Sequence, residues 1–162
     1  MSGASNHRGN SEQDVQTPRD LLDAVEGRFG LLTFDLAAHA GNTVAHDYFT
    51  KDNNALTIDW PVGEHMWLNP PFSNIAPWAA KCEAWLLSNP HPCALLLLLV
   101  PASVDSNWWR DHVAGKARVL ALNPRIRFVG HTQGFPKPLA LCVYDPRFPH
   151  QPALVESWRW RP

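Results

Sequence analysis

Apolar residues recur at helical spacing from Leu21 and Leu22 through Val25 to Phe29. Thr17 reads as the N-cap of this helix, Pro18 as its first residue and Gly30 as its stop. Leu31 to Leu36 reads as a buried strand ending near a carboxylate, Asp35. His65 to Leu68 is a short strand running straight into Asn69-Pro70-Pro71-Phe72. Ile75 to Leu87 is helical, with Trp78, Cys82, Trp85 and Leu86 on one side. Ala94 to Val100 is continuously apolar, the pattern of a strand covered on both faces of a parallel sheet. A helix from Asp105, as N-cap, to Val113 follows, then strands at 118–122, 126–129 and 139–144. Strands alternating with helices predict an α/β doubly wound sheet. Residues 1–16 are small, polar and aperiodic, and read as a flexible arm before a single domain over 17–162.

Composition narrows the class. The chain has 162 residues, 45% apolar, enough to bury a core without disulfides. Three cysteines at no metal or disulfide spacing suit a reducing compartment, so a cytoplasmic protein is expected. The apolar run at 93–102 is too short to span a bilayer. Net charge is −1, but basic and acidic residues number 5 and 11 through residue 100 and 9 and 4 beyond it. The basic last third is a candidate footprint for a polyanion. Glycine-rich nucleotide loops and serine elbows are missing. His39, His46 and Asp47 lack the partners of a metal motif, so no metal is expected.

The chemistry concentrates at Asn69-Pro70-Pro71-Phe72, just past the end of a strand, where open α/β sheets bind ligands. Two prolines stiffen the turn and remove two N–H donors. Acceptors remain, the Asn69 amide oxygen and the Pro70 carbonyl, with Phe72 as a flat apolar neighbour. Such a set suits a planar ring bearing an exocyclic amine. Two acceptors on the amine hydrogens favour a pyramidal nitrogen and return lone-pair density to it. An electrophile held in line then completes the requirement.

Asn69-Pro70-Pro71-Phe72 resembles the catalytic tetrapeptide of amino-group DNA methyltransferases. The wider pattern resembles the phage and prophage DNA N-6-adenine-methyltransferase (Dam-like) family. It is carried by Asp14 to Pro18, Phe34 to Ala38, Tyr48-Phe49-Thr50, Asn54-Ala55-Leu56, Leu68 to Ile75, Trp108-Trp109 and Arg125 to Phe128. The resemblance implies a trimmed, mainly parallel sheet of the S-adenosylmethionine-dependent methyltransferase type. It implies S-adenosylmethionine as cofactor, with Thr17 and Pro18 near its methionine end, Asp35, at the tip of the first strand, beside its amino-acid or ribose portion, Asn54 at its adenine and Ala37 as a further cofactor-binding residue. Asp47 and Asp52 are further candidates for the ribose.

The implied partner is double-stranded DNA, with the target base flipped out to reach Asn69. Arg110, Lys116, Arg125, Arg127 and Lys137 are the candidate phosphate contacts. Ser157 to Arg161 interleaves tryptophan with arginine, which fits either base stacking or an edge strand. Cytosine-N4 methylation and an inactive DNA-binding module are alternatives. Protein-glutamine methylation is a third, disfavoured by the lack of a long N-terminal substrate domain. The segment after Asp35 is poor in glycine, and only about 30 residues separate Asp35 from Met66, so two strand–helix units are trimmed or reduced to turns.

Overall fold

The computed structural model describes residues 16–39 and 41–162; the predicted arm lies almost wholly outside the described residues. The described elements are α1 (Arg19–Phe29), β1 (Phe34–Ala38), β2 (Asp47–Thr50), a 3-10 turn (Lys51–Asn53), β3 (His65–Leu68), α2 (Ala76–Ser88), β4 (Leu95–Pro101), α3 (Asn107–His112), β5 (Arg118–Asn123), β6 (Leu139–Tyr144) and β7 (Val155–Arg159). The strands form one seven-stranded sheet in the order β2-β1-β3-β4-β6-β5-β7.

The sheet is mixed. β1 pairs in parallel with β2 and β3, β3 with β4, and β5 with β7. β6 lies antiparallel between β4 and β5, which corrects the expectation of parallel neighbours on both sides of β4. All seven residues of β4 are buried nonetheless, because burial reports coverage and not strand direction. One face packs on α1, through Leu21, Leu22 and Val25 against Trp67, Leu97, Leu99 and Leu141. The other packs on α2 and α3, through Cys82, Trp85 and Trp109 against Leu68, Leu96, Leu98 and Tyr144.

Several boundaries moved for local reasons. α1 is capped at Pro18 and not at Thr17. β1 begins at Phe34, because Leu31 is 70% exposed while Thr33 is tied to His65. α3 takes Ser106 as its N-cap, whose hydroxyl accepts from the Trp109 amide. Residues 126–129 are not a strand: Ile126 and Phe128 are buried and alternate with exposed Arg127 and Val129, but in a long loop between β5 and β6. Of the trimmed units between Asp35 and Met66, the described residues keep the strand β2 and the short 3-10 turn after it, with no α-helix.

The tail is an edge strand. Trp158 packs edge-on against Phe29, with Arg28 over its ring at 4.9 Å. Buried Trp160 donates its indole N–H to the Pro124 carbonyl at 2.7 Å, and Arg161 pairs with Asp20. Among the described residues, no helix is long and apolar enough to cross a membrane.

Leu98 is fully buried in β4 between β3 and β6. Leu98→Ala is expected to lower unfolding free energy by about 2–5 kcal/mol, read from urea denaturation with an unchanged m-value.

Candidate active site

β1 and β3 are neighbours whose chains leave in opposite directions along the sheet, β1 toward β2 and β3 toward β4. A crevice opens at such a divergence beyond the carboxyl ends. Here it holds a groove of about 190 Å³ lined by Leu36, Ala37 and Ala38 of β1, Thr50 at the end of β2 with Lys51, Asn54 and Ala55 after it, Asn69 and Pro71 after β3, and Trp78 of α2. A smaller polar pocket adjoins it, lined by Gln16, Thr17, Asp35, Asn42 and Trp67, and shares Ala37, His39 and Asn69 with the groove.

Four of the five cofactor candidates, Thr17, Asp35, Ala37 and Asn54, therefore line one continuous depression with Asn69. Pro18 lines neither cavity; it caps α1, where its carbonyl accepts from Leu22. Its neighbour Thr17 is buried and does no capping. Instead the Thr17 hydroxyl accepts from the Asn69 amide Nδ2 at 3.3 Å, across 52 residues of sequence. That bond orients the amide. The Asn69 Oδ1 is shielded from solvent in this state, so presenting it to a substrate requires a turn of the side chain. The bond to Thr17 is at the long, weak end of the range.

Asp35 is the second residue of β1 and not its tip, and it is buried. Its carboxylate accepts the Ala37 amide at 3.2 Å and the Val44 amide at 3.1 Å, which shapes the turn between β1 and β2. Burial raises its pKa above the ordinary 3.8, against the opposing pull of those two amides.

The groove wall at Asn54–Ala55 is fastened from below. Asn54 sits in the left-handed region at φ 49°. The Ala55 carbonyl accepts the Trp60 indole at 2.8 Å and the Lys81 ammonium at 2.9 Å, and Lys81 also reaches the Ile58 carbonyl. Burial lowers the Lys81 pKa.

After β3, Pro70 is buried, and the Pro71 carbonyl closes a turn with the Asn74 amide. Phe72 lines neither cavity. It is half-buried and packs edge-on against Phe128 at 6.4 Å and Phe135 at 5.5 Å, both from the β5–β6 loop. The ring expected to lie open beside the amine is thus partly engaged by that loop.

The DNA N-6-adenine-methyltransferase (Dam) family model matches residues 4–137. The chain belongs to this family. A DNA N-6-adenine-methyltransferase of Haemophilus phage HP1 is 30% identical over 159 residues, 93% of this chain and 88% of that protein. One of Escherichia phage T1 is 28% identical over 104 residues, and the match spans 64% of this chain but only 42% of that relative.

The basic residues of this Dam-family chain fall into two groups. Arg125, Arg127 and Lys137 sit on the β5–β6 loop that touches Phe72, and all three are exposed. Arg125 serves the loop itself, donating to the Phe135 and Pro136 carbonyls at 3.2 and 2.7 Å. Arg110 and Lys116 belong to the opposite face, with α2 and α3. Arg110 pairs with Asp111 at 2.7 Å, and Lys116 reaches Glu83 at 3.5 Å and the Asp111 carbonyl at 2.6 Å. The sequence grouped all five together, but the sheet separates them.

Of the two reserve acids, Asp47 pairs with exposed His46 at 3.1 Å and Asp52 lies in the 3-10 turn; neither lines the groove. Sequence reading passed over Trp67, Trp78, Thr50 and Lys51 as lining residues. Position after a strand end was the available signal for Thr50 and Lys51, but β2 itself went unseen. Among the described residues, no group of three or more His, Cys, Asp or Glu could hold a metal ion.

Because Asp35 ionises less readily when folded, its contribution to stability is full below about 3.8 and falls as pH rises through its raised folded value. Asp35→Asn is expected to flatten that decline in urea unfolding measured against pH. An equal slope in both proteins would show that Asp35 titrates normally.

Proposed function

We propose that the protein transfers a methyl group from S-adenosylmethionine to the N6 amine of adenine in double-stranded DNA. The observation that carries this reading is the position of Asn69-Pro70-Pro71-Phe72, at the divergence of β1 and β3, in a chain of the Dam family. The sheet and its two covered faces support a trimmed, doubly wound fold of the S-adenosylmethionine-dependent methyltransferase type, with β6 reversed.

The lining residues fit the cofactor. The groove offers apolar walls in Leu36, Ala37, Ala55, Pro71 and Trp78 and a polar edge in Asn54, which suits an adenosyl group. The adjoining pocket offers Asp35 and Thr17, which suit an amino-acid end carrying an ammonium. When bound, the cofactor supplies an electrophilic methyl carbon. The chain's own task is to hold and polarise the amine. Turned from Thr17, the Asn69 oxygen accepts one amine hydrogen and the Pro70 carbonyl the other. Both acceptors favour a pyramidal, more nucleophilic nitrogen, and the extra proton leaves once that nitrogen carries positive charge. Phe72, backed by Phe128 and Phe135, limits where the base can lie.

DNA supplies the base by extrusion, which costs a few kcal/mol in lost stacking and pairing. Arg127 and Lys137, exposed beside Phe72's loop, are the phosphate contacts this arrangement favours; Arg125 holds the loop in shape. Arg110 and Lys116, on the other face and paired with acids, are left outside the proposed surface.

Incubation with labelled S-adenosylmethionine and mixed-sequence DNA, followed by nucleoside analysis, is expected to yield N6-methyladenine. N4-methylcytosine, or no labelled nucleoside, would overturn the reading. Asn69→Ala is expected to cut turnover by about 100-fold or more while changing cofactor affinity, measured by calorimetry, far less.

Arg127→Ala combined with Lys137→Ala is expected to reduce the slope of log binding constant against log salt by about 1.8, two phosphates' worth. The pair Arg110→Ala with Lys116→Ala is expected to leave that slope as it was.

A further inference from the structure

The β5–β6 loop carries a feature that its own stability does not require. Phe128 to His131 forms a β-turn, closed by the His131 amide on the Phe128 carbonyl at 3.1 Å. Gly130 holds φ 85° at the third position, as a type II turn demands. The second position, which favours proline, is occupied by Val129, 51% exposed. An apolar, β-branched side chain at the corner of this turn leaves about half of its surface in solvent, and its χ1 is stiff.

The corner is also held firmly against the site. The Val129 amide donates to the Gln16 carbonyl at 3.0 Å, and Gln16 lines the polar pocket with Thr17, Asp35 and Asn69. Phe128, immediately before it, is buried against Phe72. The Phe135 amide ties the far side of the loop to the Ile126 carbonyl at 2.7 Å, and Arg125 bonds the Phe135 and Pro136 carbonyls. Exposed Arg127 and His131 flank the corner. A stiff apolar knob, braced between the two elements that frame Asn69 and bordered by basic residues, matches what a duplex needs when one base leaves the stack. Apolar side chains fill or prise open such steps.

We infer that Val129 is the wedge that enters the base stack as the target adenine is extruded, with the turn at 128–131 as its rigid mount. Val129 is a positioning residue: it touches the DNA that the adenine vacates, not the reacting amine. The inference rests on the proposed function and adds to it the element that opens the duplex.

The test uses the full chain. Sequencing of DNA methylated by the wild-type protein identifies a target duplex. Single-turnover rates are then measured on that duplex and on the same duplex with an abasic site opposite the target adenine, where no pair has to be broken. Val129→Ala is expected to lose about tenfold on the paired duplex, equivalent to ~1.4 kcal/mol, and much less on the abasic one. Val129→Ile, which restores a branched apolar side chain, is expected to recover most of the paired rate. Equal losses on both substrates, or no loss on the paired one, would overturn the wedge. Wild-type protein that methylates no DNA would overturn the functional reading itself.

Discussion

The pairing of β1 with β3 is the constraint from which the rest follows. Parallel neighbours cannot be joined by a tight turn, so each strand must send its chain away before returning. β1 sends its chain to the β2 edge and β3 sends its chain toward β4. The space between their carboxyl ends is left for side chains to line. Register then decides which ones. Asp35 lies level with Trp67, so the segment after β1 and the Asn69 turn after β3 come out on the same rim. Thr17, at the approach to α1, closes that rim from the covered face by bonding Asn69. Residues far apart in sequence meet because one pair of strands is adjacent and parallel.

Legibility followed the kind of signal each residue gives. Asn69 to Phe72 was readable because its chemistry is contiguous and sits directly behind an apolar strand. β4 was readable because seven buried residues in a row leave no other interpretation of comparable economy. β2 and β7 were missed or left open because both are edge strands with mostly exposed residues, so burial imposes little pattern on them. The segment 126–129 misled for the opposite reason. Its alternation is real, since Ile126 and Phe128 enter the core on the α1 face, but its backbone bonds go to Phe135 and Gln16 and not to a sheet neighbour. Periodicity reports which side chains are buried, and a braced loop can satisfy it as well as a strand. Thr17 had two competent roles, and local sequence favoured the cap; only the distant Asn69 made the other one available.

The basic residues illustrate what a one-dimensional charge count conceals. The excess of lysine and arginine beyond residue 100 is shared between α3 and its surroundings, the β5–β6 loop and the edge strand β7. Outside the β5–β6 loop most of these charges are matched locally, Arg110 by Asp111, Lys116 by Glu83, Arg118 by Glu156, Arg147 by Asp145 and Arg161 by Asp20. The β5–β6 loop is where cations, aromatics and the Asn69-Pro70-Pro71-Phe72 turn converge. The tryptophans divide likewise. Trp160 and Trp158 fasten the last strand to Pro124 and α1, whereas Trp78 faces the groove.

The glycine-poor segment after β1 has a physical explanation in Asp35. A loop that wraps closely around a ligand must fix its backbone amides, and glycines commonly permit the necessary angles. Here Ala37 and Ala38 remain in the strand, and Asp35 gathers the Ala37 and Val44 amides from below. A buried carboxylate thus does by hydrogen bonding what conformational freedom does elsewhere. Its raised pKa is the consequence: two amide donors offset part of the desolvation, but not all of it. The remaining deficit is the kind that a cationic group in the adjoining pocket would relieve. Under the proposed function the acid that shapes the loop is therefore also the one placed to meet an ammonium, so a single side chain would serve both scaffold and recognition.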